Sequence, residues 1–318
     1  MTRRRLDPLG LSPAPNRPVL EEVPVRREAD VAVARRVTDE MAARLGFPER
    51  RRAEAVLVAS ELATNLVVHH AEDGLVRVFG LGGPGPPLIT VAALDRGPGI
   101  PDLAAVLRDG TSSDQGLGAG LGTVFRLADR AALCSGSTGP APCPCPGGRP
   151  FSGTLVAAEL SAAPARPRDA ASGAGIETAV LLRPGPARGG ALFYAEEVRP
   201  GSVTVQVGLR PERASTAPPP GWILELGGVA FRLRMPPEGR LFVVDGAGCR
   251  RVPPGRGPVA PAPGAGTALA VTGLPLEPSD IVPAARAAPP LIVAQAFFPR
   301  AEAPPLHPSG LLVVRWET

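Results

Sequence analysis

Three short segments carry residue types that could act on a polar ligand. In Glu61-Leu-Ala-Thr-Asn65 a carboxylate and an amide stand four residues apart. On a helix that spacing places both on one face, a turn apart. The carboxylate could accept a proton or orient water, and the amide oxygen could ligate a hard cation such as Mg2+. Taken alone, the pair equally suits an ordinary polar helix face. In Leu94-Asp95-Arg-Gly97-Pro-Gly99-Ile100 an Asp ends a strand and enters a tight Gly-Pro-Gly turn. Its carboxylate is an acceptor at the strand's carboxyl end, where ligand sites of α/β sheets gather. The two glycines let backbone approach a flat ligand. A plain strand-to-turn connection is the alternative. In Gly116-Leu-Gly118-Ala-Gly120-Leu-Gly122-Thr123 glycines alternate ahead of Val124-Phe-Arg-Leu-Ala-Asp129. Amides at a helix N-terminus can cradle phosphate without a lysine. A flexible hinge is the other reading of this run.

Composition narrows the chemistry. All 34 basic residues of the 318 are Arg, so every lysine-dependent mechanism is excluded. That removes the P-loop, the pyridoxal Schiff base and the strand lysine of ordinary protein kinases. Pro (41) and Gly (38) make up about a quarter of the chain, a level at which disorder must be weighed. The +4 net charge lies wholly after residue 161, with no basic stripe and 4% aromatics, so no nucleic-acid partner is expected. No apolar run follows Met1-Thr-Arg-Arg-Arg5 to make a signal peptide, and no segment suits a membrane span. A cytoplasmic location is expected. Cys134, Cys143, Cys145 and Cys249 lack zinc-ligand spacing and are expected as free thiols.

These segments need elements to hold them. Between residues 25 and 83 the only proline is Pro48. Apolar residues at three- and four-residue spacings predict helices over 28–45, closed by Gly46, and from Pro48 to about His70. Strands are expected at 22–25, 75–80, 88–94, 131–135 and 153–160, with helices near 102–108 and 120–129. The order predicts an α/β sandwich, one mixed sheet with helices on a single face. Residues 1–20 are expected as a disordered tail, 140–150 as a loop and 162–175 as a linker. Short apolar runs among the prolines of 176–318 predict a smaller, mostly β domain, with one helix near 279–298. The whole is of the α+β class.

In this order and spacing the three segments resemble the N box, the D-x-G-x-G turn and the glycine-rich lid of the GHKL (Bergerat-fold) ATPases. The resemblance covers 22–160. Within that superfamily the chain is similar to the RsbT class of serine/threonine switch kinases of bacterial partner-switching systems. Val23-Pro-Val-Arg-Arg-Glu-Ala-Asp-Val31, Ala34-Arg-Arg, Gly46-Phe47, Asp109-Gly-Thr-Ser112 and the lid run carry that likeness. Its Glu-Leu-x-Thr-Asn is also usual in the RsbW class of anti-sigma kinases.

The resemblance implies ATP and Mg2+ as cofactors, with 21–161 as the kinase domain. It implies Glu61 as general base and Asn65 as the metal-holding residue. Asp95 would accept from the adenine amino group, with Gly97, Gly99 and Ile100 shaping that pocket. Gly116, Gly118, Gly120, Leu121 and Gly122 would wrap the phosphates, and Thr154 would sit near the adenine. The substrate implied is a STAS-domain antagonist, whose phosphorylation releases a sigma factor or a downstream phosphatase. An ATP-gated anti-sigma-type binding module without efficient transfer is the alternative. The end of the chain resembles, in degenerate form, a SpoIIE/RsbX-like phosphatase-type domain; an unrelated, unassigned β-rich domain over 176–318 is the alternative. Asp245-Gly246, Gly266–Leu274 and Ser309–Trp316 carry that likeness. Only Asp169, Asp245 and Asp280 follow residue 160, too few for a two-metal site, so no phosphatase activity is expected.

Overall fold

The computed structural model describes residues 18–82, 86–100, 119–136, 153–163, 176–183, 191–199, 201–210, 221–226, 229–235, 238–255, 258–262, 264–298 and 309–316. The expected tail, the helix near 102–108, the 140–150 loop and most of the linker lie outside them.

The first sheet holds β1 (Val19–Pro24), β2 (Leu75–Leu81), β3 (Leu88–Leu94), β4 (Arg130–Ser135) and β5 (Thr154–Ser161), in the order β1-β2-β3-β5-β4. The sequence predicts a mixed sheet, but every pairing in it is antiparallel. The topology gives the reason. Helices α1 (Glu28–Arg44) and α2 (Glu49–Val68) both follow β1, and such a pair returns the chain to the end it left, so β2 runs antiparallel to β1. The connection from β3 through α3 (Ala119–Leu127) to β4 is a crossover, but β5 inserts between those two strands. The three helices cover one face: Ala34, Met41, Val58, Leu62, Leu121 and Val124 share a core with Val76, Val78, Ile89 and Val91. Gly46 ends α1 in a left-handed conformation, as expected.

The later strands build two further five-stranded sheets. The second holds β7 (Ala191–Arg199), β8 (Ser202–Arg210), β9 (Gly221–Leu226), β10 (Val229–Arg234) and β13 (Pro258–Val259), with parallel pairs β8/β10 and β9/β13. The third is antiparallel, in the order β12 (Gly248–Val252), β11 (Arg240–Asp245), β14 (Gly266–Thr272), β15 (Ser309–Trp316), β6 (Ile176–Arg183). Burial alternates along β9 and β10 but is continuous along β11, β14 and β15. The third sheet is therefore covered on both faces.

Two helices, α4 (Pro278–Ala287) and α5 (Pro290–Phe297), stand where one is expected. Pro289 and Pro290 break the segment, and Pro290 opens α5 at a position needing no amide. Leu291–Phe298 reads by pattern as a strand as easily as a buried helix. It is a helix because it is enclosed all round, by β6 and β15 on one side and by β4 and β5 on the other. Helices thus lie on both faces of the first sheet. The face opposite α1 and α2, with Phe79, Leu81, Leu94 and Leu155, joins one continuous core with the second half.

A polar cluster pins that contact. The Arg77 side chain, on β2, has no exposed surface. It pairs with Glu22 at 2.8 Å and donates to the Gln295 carbonyl at 3.0 Å, the Gln295 side chain at 3.1 Å and the Phe298 carbonyl at 3.1 Å. Arg183 of β6 holds the other Glu22 oxygen at 3.2 Å and lies 4.9 Å from the Phe298 ring centre. Arg130 of β4 reaches the Thr178 carbonyl of β6 at 2.7 Å.

A second buried charge, Asp245, ends β11. Burial alone would raise its pKa. The amides of Ala262 and Ala247 and the Arg250 guanidinium outweigh that and hold the carboxyl below its ordinary value. Its stabilising contribution is therefore complete above the unfolded value of about 3.9 and is lost as pH falls through the lower folded value. Asp245→Asn is expected to lower stability at neutral pH and to flatten the acid limb of a stability–pH curve. Arg77→Ala is expected to cost about 3–5 kcal/mol, because it leaves Glu22 with Arg183 alone of the two guanidiniums and strips the buried Gln295 and Phe298 carbonyls of their donor. Chemical denaturation of the full chain measures both.

Candidate functional site

Glu61 and Asn65 are half-buried on α2, on the side that α3 packs against. Gly120, in the first turn of α3, faces them. A Cβ there would lie 2.8 Å from Glu61 Oε2 and 3.5 Å from Asn65 Oδ1. The two side chains thus converge on the first described turn of α3, where a Cβ on Gly120 would press on the end of the Glu61 side chain. Leu121 is buried against the helices and Gly122 is half-buried beside it. Gly116 and Gly118 lie outside the described residues, as does Asp109–Ser112.

Arg51, a few turns earlier on α2, holds the far end of α3. It donates to the Leu127 carbonyl at 3.3 Å, to Asp129 at 2.6 Å and to the Ser161 carbonyl at 2.9 Å. Asp129 also accepts the Ser161 amide at 2.6 Å. This clamp fixes where α3 lies along α2, and so where Gly120 meets Glu61. Nothing in the local sequence marks this clamp: besides Glu54 three residues on, the partners of Arg51 are 76 to 110 residues away.

Asp95 is fixed by backbone on two sides. Its Oδ1 accepts from the Gly97 amide at 2.8 Å and the Thr154 amide at 3.1 Å, and its own amide donates to the Thr154 carbonyl at 3.0 Å. The expected neighbours Asp95, Gly97 and Thr154 are therefore in direct contact. Gly153 makes this approach possible. Its φ is +118°, and a Cβ there would lie 2.1 Å from the Asp95 carbonyl oxygen. Gly99 also has a positive φ, of 78°. The rest of the turn is tied down at two points: the Arg96 amide donates to the Glu72 carbonyl at 2.8 Å, and the Ile100 amide to Ser135 Oγ at 2.6 Å. Neither Glu72 nor Ser135 carries a motif that sequence reasoning could have used.

Next to Ser135, Cys134 departs from expectation. It is disulfide-bonded, to a partner outside the described residues, whereas Cys249 is a free thiol. The sequence spacing bears on zinc ligation and not on which sulfurs the end of β4 brings together.

A carboxylate and an amide on α2 face a glycine of α3, and a buried Asp opens a Gly-Pro-Gly turn at the end of β3. Residues 24–140 match the family described as "Histidine kinase-like ATPase domain". The chain is also 37% identical over 113 residues to the "Serine/threonine-protein kinase RsbT" of Bacillus subtilis (strain 168). That alignment covers 36% of this chain and 84% of the relative. The chain belongs to the histidine kinase-like (GHKL) ATPase family through its first half.

The Gly153 contact carries its own test. Gly153→Ala combines a left-handed backbone with a clash against backbone and is expected to cost at least about 1–3 kcal/mol. Denaturant melts of the variant check this; a cost near zero would show that the Asp95 turn is not held as described.

Proposed function

We propose that this chain is an ATP-binding protein serine/threonine kinase that phosphorylates a STAS-domain antagonist in a bacterial partner-switching pathway. The observation that carries the reading is the convergence of Glu61 and Asn65 on the start of α3. The likeness to RsbT supports the choice of a serine or threonine acceptor. Release of a sigma factor or of a downstream phosphatase would follow phosphorylation, in the cytoplasm. No described helix is long and apolar enough to cross a membrane.

The residues present fit Mg2+-ATP. Asn65 Oδ1 and Glu61 Oε2 line a space that a Cβ on Gly120 would fill, and oxygen donors suit a hard cation. Bound Mg2+ would supply charge neutralisation along the triphosphate. Asn65 holds the metal. Glu61 takes the proton from the attacking hydroxyl and orients its oxygen. Gly116, Gly118, Gly120, Leu121 and Gly122 would offer their amides to the phosphates, which meets the lack of lysine. Asp95 accepts from the adenine amino group. Gly97, Gly99 and Ile100 form the wall of that pocket, and Thr154 positions the carboxylate.

The second half is read as a degenerate relative of the SpoIIE/RsbX-type phosphatases, without hydrolytic activity. Its paired five-stranded sheets support the likeness. The Asp245 carboxylate is taken up by Arg250 and two amides, which supports the loss of metal chemistry.

The test is transfer of labelled phosphate from ATP to a candidate STAS protein. Glu61→Gln is expected to lower transfer about 100-fold or more while ATP still binds. Gly120→Ala is expected to keep or raise Tm, since Ala favours a helix, and to lower transfer by displacing Glu61. Wild-type protein that binds ATP without transfer, and whose partner affinity depends on ATP, would replace this reading with the ATP-gated module.

A further inference from the structure

A cavity of about 320 Å3 opens in the second half, far along the chain from the segments discussed above. It is lined by Val244, Asp245 and Gly246 at the end of β11, by Thr267 on β14, by Arg286 on α4 and by Arg315 on β15. The charge balance of this lining is uneven. The Asp245 side chain has no exposed surface, and its oxygens accept from Arg250 at 2.8 Å, Ala262 at 2.9 Å and Ala247 at 3.0 Å. It meets the cavity as neutralised backbone rather than as a free anion.

Arg286 and Arg315 have no such partner. Arg286 donates to the Asp245 carbonyl at 3.5 Å and Arg315 to the Ala288 carbonyl at 3.2 Å. Among the described residues neither reaches a carboxylate. The Thr267 hydroxyl donates to the Ala285 carbonyl at 2.9 Å, which leaves its oxygen as an acceptor on the cavity wall.

We infer that this cavity is a binding site for a phosphomonoester dianion. Two guanidiniums on different elements supply two positive charges and several N–H donors, which match a group of charge near −2 with three acceptor oxygens. A carboxylate would leave one arginine uncompensated. The volume exceeds that of a bare phosphate, so the cavity has room for the carbon skeleton that bears it. The phosphomonoester can belong to a free small molecule or to a phosphorylated side chain. The site does not depend on the kinase reading, and no described residue of the first half lines it.

Trp316 reports on this region: its indole donates to the Gly264 carbonyl at 3.1 Å and its ring packs on Gly266, which also lines the cavity. The experiment is fluorescence and calorimetric titration of the full chain with inorganic phosphate, O-phosphoserine and a short phosphoserine peptide. Saturable binding is expected, weakening with added salt. Arg286→Gln and Arg315→Gln should each weaken it about tenfold, and ATP affinity should stay unchanged. Arg286 is exposed, so its variant keeps the fold even if that of Arg315 does not. Tighter binding of the peptide than of O-phosphoserine upholds the site for a phosphorylated chain, and the reverse upholds it for a small molecule. No saturable signal from any of the three, or binding unaltered in Arg286→Gln, overturns the inference and leaves the kinase reading standing.

Discussion

A guanidinium with no access to water ties the two parts of this chain together. Arg77 sits on the central region of the first sheet, where an apolar residue would otherwise complete the face. Burying that charge is costly, and it is compensated only because Glu22, the Gln295 carbonyl and side chain, and the Phe298 carbonyl all arrive at once. Two of those partners lie more than two hundred residues further on. Helix α5 therefore has one place to dock, and one register in which its last turn meets Arg77. The apolar contacts around it could be satisfied by many arrangements; the charge selects among them.

The site on the opposite face depends on this frame through backbone. Asp95 is held by the start of β5 and by its own turn, whose far end is tied to Ser135 of β4. Glu61 and Asn65 are held by α2, and α2 is held to α3 by Arg51. Each group with proposed chemistry is thus positioned by residues that have none. Displacing the ends of β4 or β5 would move the Asp95 turn directly.

Local signals carried far into this fold. Helix α1, helix α2 and strands β2 and β3 follow from apolar spacing and from Gly46 and Pro48, because their cores are built from neighbours in sequence. The contact of Asp95 with Thr154 was likewise legible, because the resemblance places both residues at the adenine. What was not legible involves distance. The insertion of β5 between β3 and β4 makes an antiparallel sheet from a sequence order that suggests a mixed one. Leu291–Phe298 is apolar on every side, and only its enclosure decides between helix and strand. The Arg51 clamp, Ser135 and the Cys134 disulfide have no periodic or motif signature, since each is defined by a partner that the chain brings from elsewhere.

The position of α5 also governs traffic around the molecule. One side of the ATPase sheet is spoken for by the chain's own later segment, permanently and at the cost of a buried charge. No other protein can use that side without first prising α5 away. Any partner of the first half must therefore approach from the helical side or the rim. There α1 and α2 present their exposed residues, among them Val33, Leu57 and Val68. The second half, whatever it binds, acts on the first as a fixed wall that decides which directions of encounter remain open.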